Sequence, residues 1–147
     1  MIRLADISKD FSIIYNGARD FISRMDHPEC IGADDELAEA VGNIVSLPGF
    51  ECWLDEEDVV NGGIGLLFCP PIWLPRRLAM TELFIWARTD APKITFLRLM
   101  RQAMKRKEEL GVSYTEFMSL SSSPPGIAKV YEALGCQKMQ ETWIKVD

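Results

Sequence analysis

Residues 81–86 read TELFIW and residues 126–136 read GIAKVYEALGC, and the stretch they bracket decides the fold. TELFIW is rich in aromatic and β-branched side chains and reads as a strand, extending over 78–87. Residues 93–110 carry Leu97, Met100 and Met104 at helical spacing and stop before Gly111, so they predict a helix. Residues 114–120, YTEFMSL, read as a second strand. The segment 126–136 then predicts a short amphipathic helix ending at Gly135, with Tyr131 four residues earlier.

Outward from this block, 138–146 reads as a last strand, with Met139, Trp143 and Ile144. Upstream, residues 1–5 alternate loosely as a first strand. Residues 9–25 place Phe11, Ile14, Tyr15, Ala18, Phe21 and Ile22 on one helical side, with Asp6 or Ser8 as a cap. Residues 27–34 are a turn region, and 35–47 predict a second helix closed by Pro48-Gly49. Residues 50–54 and 59–69 read as strands joined by an acidic turn at 55–58, expected to be solvated. Asn61-Gly62-Gly63 and Gly65 in the second of these suggest a bulge or a close backbone approach. Residues 72–77 form a loop containing Trp73 and Pro75.

The chain has 147 residues, 48% hydrophobic and 26% charged, which is the composition and size of one globular domain. A net charge of −6 argues against nucleic-acid binding by the surface at large. No apolar run is long enough to span a bilayer, and MIRLADISKDFS lacks the apolar stretch of a signal peptide. A cytoplasmic protein without a membrane partner is the expectation. Cys30, Cys52, Cys69 and Cys136 form no CxxC pair and read as free, mostly buried thiols. His27, the only histidine, stands in a polar turn and argues against both a zinc site and a histidine-based triad.

The element order is β-α-α-β-β-β-α-β-α-β. It predicts a mixed α/β (α+β) chain, a sheet with helices on its faces. This order, with Tyr131 four residues before Gly135, resembles the GNAT (GCN5-related N-acetyltransferase) superfamily. The resemblance covers nearly the whole chain in order of elements and is residue-specific from about Phe50 onward. It implies a sheet splayed between the fourth and fifth strands to admit coenzyme A, acetyl-CoA as acyl donor, and a small-molecule or protein amine as acceptor. Phe84, Ile85 and Trp86 would line the coenzyme, with Lys93, Thr95 and Arg98 toward its phosphates. Tyr131 would protonate the departing thiolate. A base for the amine would come from Glu82, with Glu116 as the other strand carboxylate.

One part of the family pattern is missing. The pyrophosphate loop has the form Q/R-x-x-G-x-G/A, because glycines let backbone amides approach the anion. Residues 91–96 (APKITF) and 88–93 (RTDAPK) are the two registers available, and neither holds a glycine. Asp90 reads as an N-cap whose carboxylate would compete for the anion site.

Two functional readings therefore stand. One is an N-acyltransferase with a degenerate loop. The other is a GNAT-fold protein without catalysis, a structural or binding module resembling phage-encoded GNAT-like virion proteins. Arg98, Arg101, Lys105 and Arg106 put positive charge on one helix of an acidic chain. They mark that face as a contact for a phosphate or a protein partner.

Overall fold

The computed structural model describes residues 1–119, 123, 125–139 and 145. Within them the elements are β1 (Ile2–Leu4), α1 (Ile7–Ser23), a 3₁₀ turn (Pro28–Cys30), α2 (Asp34–Val45), β2 (Phe50–Glu56), β3 (Val60–Cys69), β4 (Ala79–Ala87), α3 (Thr95–Glu109), β5 (Tyr114–Glu116) and α4 (Ile127–Ala133). The strand expected over 138–146 lies almost wholly outside the described residues, as does the end of the strand expected over 114–120.

The five strands form one sheet in chain order, β1-β2-β3-β4-β5. The first four pair antiparallel and β5 runs parallel to β4. This is the mixed sheet expected from the element order. Helices cover both faces. On one side α1 and α2 pack Ile14, Phe21, Leu37 and Val41 against Cys52, Leu54, Phe84 and Trp86. On the other, α3 and α4 pack Leu99, Met100, Ala103, Ile127 and Tyr131 against Ile64, Leu66, Met80 and Ile85.

A bulge interrupts β3 at Asn61, the extra residue where Asp55 pairs with Gly62 and Glu56 with Val60, within the stretch the sequence marked. A second bulge sits on β4. Gly65 pairs with Phe84 and the next residue, Leu66, pairs with Glu82, so Leu83 is the extra residue. Side chains alternate faces along a strand, and an extra residue inverts the phase. Glu82 therefore points to the α3/α4 side with Met80, whereas Phe84 and Trp86 point to the α1/α2 side. The β3 glycines serve the second possibility raised by the sequence, close approach. The Trp86 ring lies against Gly63 and Gly17, and the Phe84 ring against Gly65, where a Cβ would overlap them.

The acidic turn is corrected by the structure. β2 continues through Glu56, and Asp55 is 0% exposed, facing Arg98 at 3.5 Å. Leu97, expected in the core, is exposed, and Leu99 and Ala103 take its place. Cys52 is buried, which pushes its thiol up to about 12, while Cys69 and Cys136 are half-buried and free.

Candidate active site

β5 pairs with β4 only at Ala79, Met80 and Thr81, and it ends at Glu116. Beyond Thr81 the β4 edge has no partner among the described residues. Among the described residues the sheet is thus open from Glu82 to Ala87, which is the splay expected between the fourth and fifth strands.

Tyr131 enters this opening from α4. Its position is set by the end of that helix. Gly135 adopts φ 82°, its N–H donates to Glu132 O at 2.9 Å, and the Cys136 N–H donates to Tyr131 O at 2.9 Å. This pair of bonds is the Schellman closure, which needs a residue at positive φ and suits glycine. The motif that singled out Tyr131 in the sequence is therefore also what anchors it. Its ring stacks on Phe117, 4.9 Å away and 13° from parallel.

The Tyr131 hydroxyl lies 2.7 Å from Glu82 Oε2 and 3.0 Å from the Met118 carbonyl oxygen. Glu82 is 1% exposed, and its Oε1 has no hydrogen-bond partner among the described residues. Burial pushes the Glu82 carboxyl up to about 7, against the smaller opposing pull of Tyr131 and the Met118 backbone. The phenol is raised from its ordinary value by its own burial and by the neighbouring carboxylate. A phenol has a single proton. With Glu82 ionised, that proton goes to the carboxylate and the Met118 carbonyl gains nothing. With Glu82 protonated, Glu82 donates to Tyr131 Oη and Tyr131 donates to Met118 O, so both contacts are hydrogen bonds. The geometry favours the neutral acid, in the same direction as the burial.

Sequence reasoning named Tyr131 and Glu82 for separate tasks, and the structure joins them in one proton-sharing pair. Glu116, the other strand carboxylate, lies beside Thr81, whose hydroxyl is 3.4 Å from Glu116 Oε2. It makes no hydrogen bond to Tyr131 among the described residues.

The six residues expected along the coenzyme divide. The Phe84, Ile85 and Trp86 side chains are buried, Ile85 under α3 and the other two under α1, so only the β4 backbone edge faces the opening. Thr95 is also buried beside Gly62, and its hydroxyl has no hydrogen-bond partner among the described residues. Lys93 is exposed at the start of the α3 approach. Arg98 is turned to the sheet and held by Glu57 at 2.9 Å and Asp55 at 3.5 Å.

Asp90 is not the N-cap of α3. Its carboxylate is gripped by Arg88 at 2.5 and 2.9 Å. Two turns then intervene, closed by Ala91 N–H to Arg88 O and Thr95 N–H to Pro92 O, and the helix starts at Thr95 without a side-chain cap. The N–H groups of Phe96 and Leu97 consequently have no acceptor among the described residues. No residue from Arg88 to Ile94 has positive φ, so the loop forms no anion nest of the αR-αL kind.

The basic face of α3 is largely spent within the molecule. Arg106 lies 2.6 Å from both Glu51 and Glu109 and sits over the Trp53 ring, and Lys105 lies 3.7 Å from Glu109. Helical spacing showed the cations and Glu109, but Glu51 and Asp55, which meet Arg106 and Arg98, stand on β2, on the face turned to α3. Arg101 remains exposed.

A splayed mixed sheet with an unpartnered β4 edge, a helix N-terminus beyond it and a tyrosine in the opening defines the GNAT fold. Solved structures place the chain there. It overlays, with a TM-score of 0.69 and 18% identity, a Clostridium acetobutylicum protein described as a predicted acetyltransferase, with acetyl-CoA, covering 100% of this chain and 95% of that one. It likewise overlays AAC(6')-Iy in complex with a CoA bisubstrate analogue, with a TM-score of 0.70, 12% identity and 100% and 97% coverage. For a ribosomal-protein-alanine N-acetyltransferase from Brucella melitensis biovar Abortus 2308 the values are 0.72, 13%, 100% and 98%. No family model matches the chain, and no curated protein is similar to it in sequence. The chain is a divergent protein of the GNAT fold.

Proposed function

We propose that the chain is an acyl-coenzyme A-dependent N-acyltransferase with a weakened grip on the coenzyme's pyrophosphate. The observation that carries this reading is the Glu82–Tyr131 pair, 2.7 Å apart in the mouth of the splay. Its support also includes the acetyltransferases among its fold neighbours. The β4 edge from Glu82 to Ala87 offers backbone groups for an extended pantetheine, and the Phe96 and Leu97 amides with Lys93 remain for the phosphates. Bound there, acetyl-CoA supplies an activated thioester.

The chain's own part is proton handling. In the ionised fraction, which is substantial near a value of about 7, the Glu82 carboxylate takes the proton lost by the attacking amine. Once neutral, it no longer holds the phenol's proton, and Tyr131 Oη gives that proton to the departing sulfur. Glu82 then returns its proton to Tyr131 through the 2.7 Å bond. One proton has moved from nitrogen to sulfur and the pair is restored. A carboxyl near neutrality suits this relay better than an ordinary one. The acceptor is a small-molecule or protein amine.

Calorimetry with acetyl-CoA tests the first half. We expect saturable binding with Kd weaker than about 1 μM, because the glycine cradle is absent. In a thiol-release assay over a panel of amines, Tyr131→Phe should lower turnover by about 10²-fold, the scale for losing a general acid. Unchanged turnover would remove Tyr131 from the mechanism. The second reading, a GNAT-fold structural or binding protein such as a virion component, is favoured by the glycine-free loop from Arg88 to Ile94. Absence of any acetyl-CoA binding at millimolar ligand selects it.

A further inference from the structure

The loop between Cys69 and Ala79 reads PPIWLPRRL. Trp73 is 89% exposed and Ile72 is 86% exposed. Arg76 and Arg77 are exposed and enter no ion pair among the described residues. The loop is a shaped projection. Leu74 N–H bonds Pro71 O and Arg77 N–H bonds Leu74 O, each at 3.0 Å, and three prolines limit its freedom. Two large apolar side chains held in water at a stiff tip, with two unpaired cations behind them, mark a surface that acts by being covered.

The complement lies between α1 and α2. Ile22, Ile31, Leu37 and Ala40 line an open cleft of about 300 Å³ between α1 and α2, with Glu36 at its rim. Asp34, Asp35 and Glu39 stand beside Glu36 on the same helix, exposed and in no ion pair among the described residues. The cleft is apolar within and acidic outside. The loop is apolar at its tip and basic behind. The loop does not fill the cleft of its own chain: Ile72 and Trp73 stand exposed, and no residue of the loop lines the cleft.

We propose that the β3–β4 loop docks into the α1–α2 cleft of a second copy of this chain, Trp73 entering between Ile22 and Leu37 and Arg76 and Arg77 meeting the α2 carboxylates. The contact is heterologous, loop to cleft, so it closes as a pair only if both loops engage at once, and otherwise runs on head to tail. It is independent of the acyltransferase reading, because neither surface includes Glu82, Tyr131 or the β4 edge.

Sedimentation velocity across a concentration series tests it, with circular dichroism confirming that each variant is folded. We expect the wild-type mass to rise with concentration. Trp73→Ala should weaken association about thirtyfold or more, as for a buried tryptophan anchor. Arg76→Glu with Arg77→Glu should leave monomers, and so should Asp35→Lys with Glu39→Lys. Mixing those two charge-reversed proteins should restore the contact, because the loop of each is opposite in sign to the cleft of the other, and a single chain carrying all four reversals should associate again, more weakly at high salt. Wild type that stays monomeric throughout overturns the proposal, as does association indifferent to Trp73→Ala or a fourfold variant that remains monomeric. Pelleting of monomer with phosphatidylserine vesicles in a Trp73-dependent manner, without self-association, assigns the loop to an anionic lipid surface and overturns it as well.

Discussion

Trp86→Ala should cost about 3–5 kcal/mol of unfolding free energy, a large part of what a domain of this size has. The indole is nearly fully buried, seated on Gly17 of α1 and Gly63 of β3, with the Phe84 ring 5.9 Å from its own. Together with Ile14, Ala18 and Phe21 it closes α1 on the sheet. Truncation removes the largest side chain of that layer and leaves a space that two glycines cannot fill, since neither has a side chain to move inward. Urea unfolding monitored by far-UV circular dichroism measures the loss. A cost below about 1 kcal/mol would mean that α1 settles onto the sheet without the ring. Gly63→Ala is the converse change: its methyl group overlaps the indole, and the crowding should cost about 1–3 kcal/mol.

Glu82→Gln should remove a pH dependence rather than a contact. The Glu82 carboxyl is raised in the folded chain to about 7 from 4.5, so the folded state holds its proton more tightly than the unfolded state. Between these two values the native protein binds more protons than the unfolded chain, and stability falls as pH rises. The contribution is complete below the unfolded value, is lost through the folded one, and is flat above it. At about 1.36 kcal/mol per pKa unit, the loss is on the order of 3 kcal/mol. Glutamine cannot ionise, and its amide N–H can donate to Tyr131 Oη as the neutral acid does. The variant should therefore lack this slope and be the more stable protein at pH 8, by up to about 3 kcal/mol. Urea midpoints of both proteins at pH 5 and pH 8 settle the matter. A wild type whose excess stability at pH 5 survives in Glu82→Gln would place the titration elsewhere.

The fold was legible because its signals are local. Apolar spacing marked α1 and α2, glycine endings at Gly111 and Gly135 closed α3 and α4, and the order of elements carried the topology. The site was legible only in part. Tyr131 stood out because Gly135 has a visible purpose. Its bond to Glu82 spans 49 positions and depends on the phase of β4, which no short window of sequence reports. The α3 cations were visible, but not that β2 alternation would bring Glu51 and Asp55 beneath them. Asp90 followed by Pro92 has the pattern of a helix start. Arg88, two residues earlier, takes the carboxylate, and the helix begins later. Phe84, Ile85 and Trp86 were assigned to a ligand as neighbours in sequence, whereas a strand gives neighbours opposite faces.

The extra residue at Leu83 has a consequence for how this chain tolerates change in length. With it, one strand sends a carboxylic acid toward α4 and two aromatic rings toward α1. Loss of Leu83 itself would leave Glu82 opposite Leu66 and Phe84 opposite Gly65, a regular ladder with every side chain still on its own face. Loss of any other single residue of β4 would carry the residues on one side of the gap to the opposite faces, unless the bulge were given up to absorb it. An acid would then be driven among Ile14, Phe21 and Val41, or a tryptophan into the splay. The bulge is the place in β4 where the strand can lose a residue without exchanging the contents of the two cores.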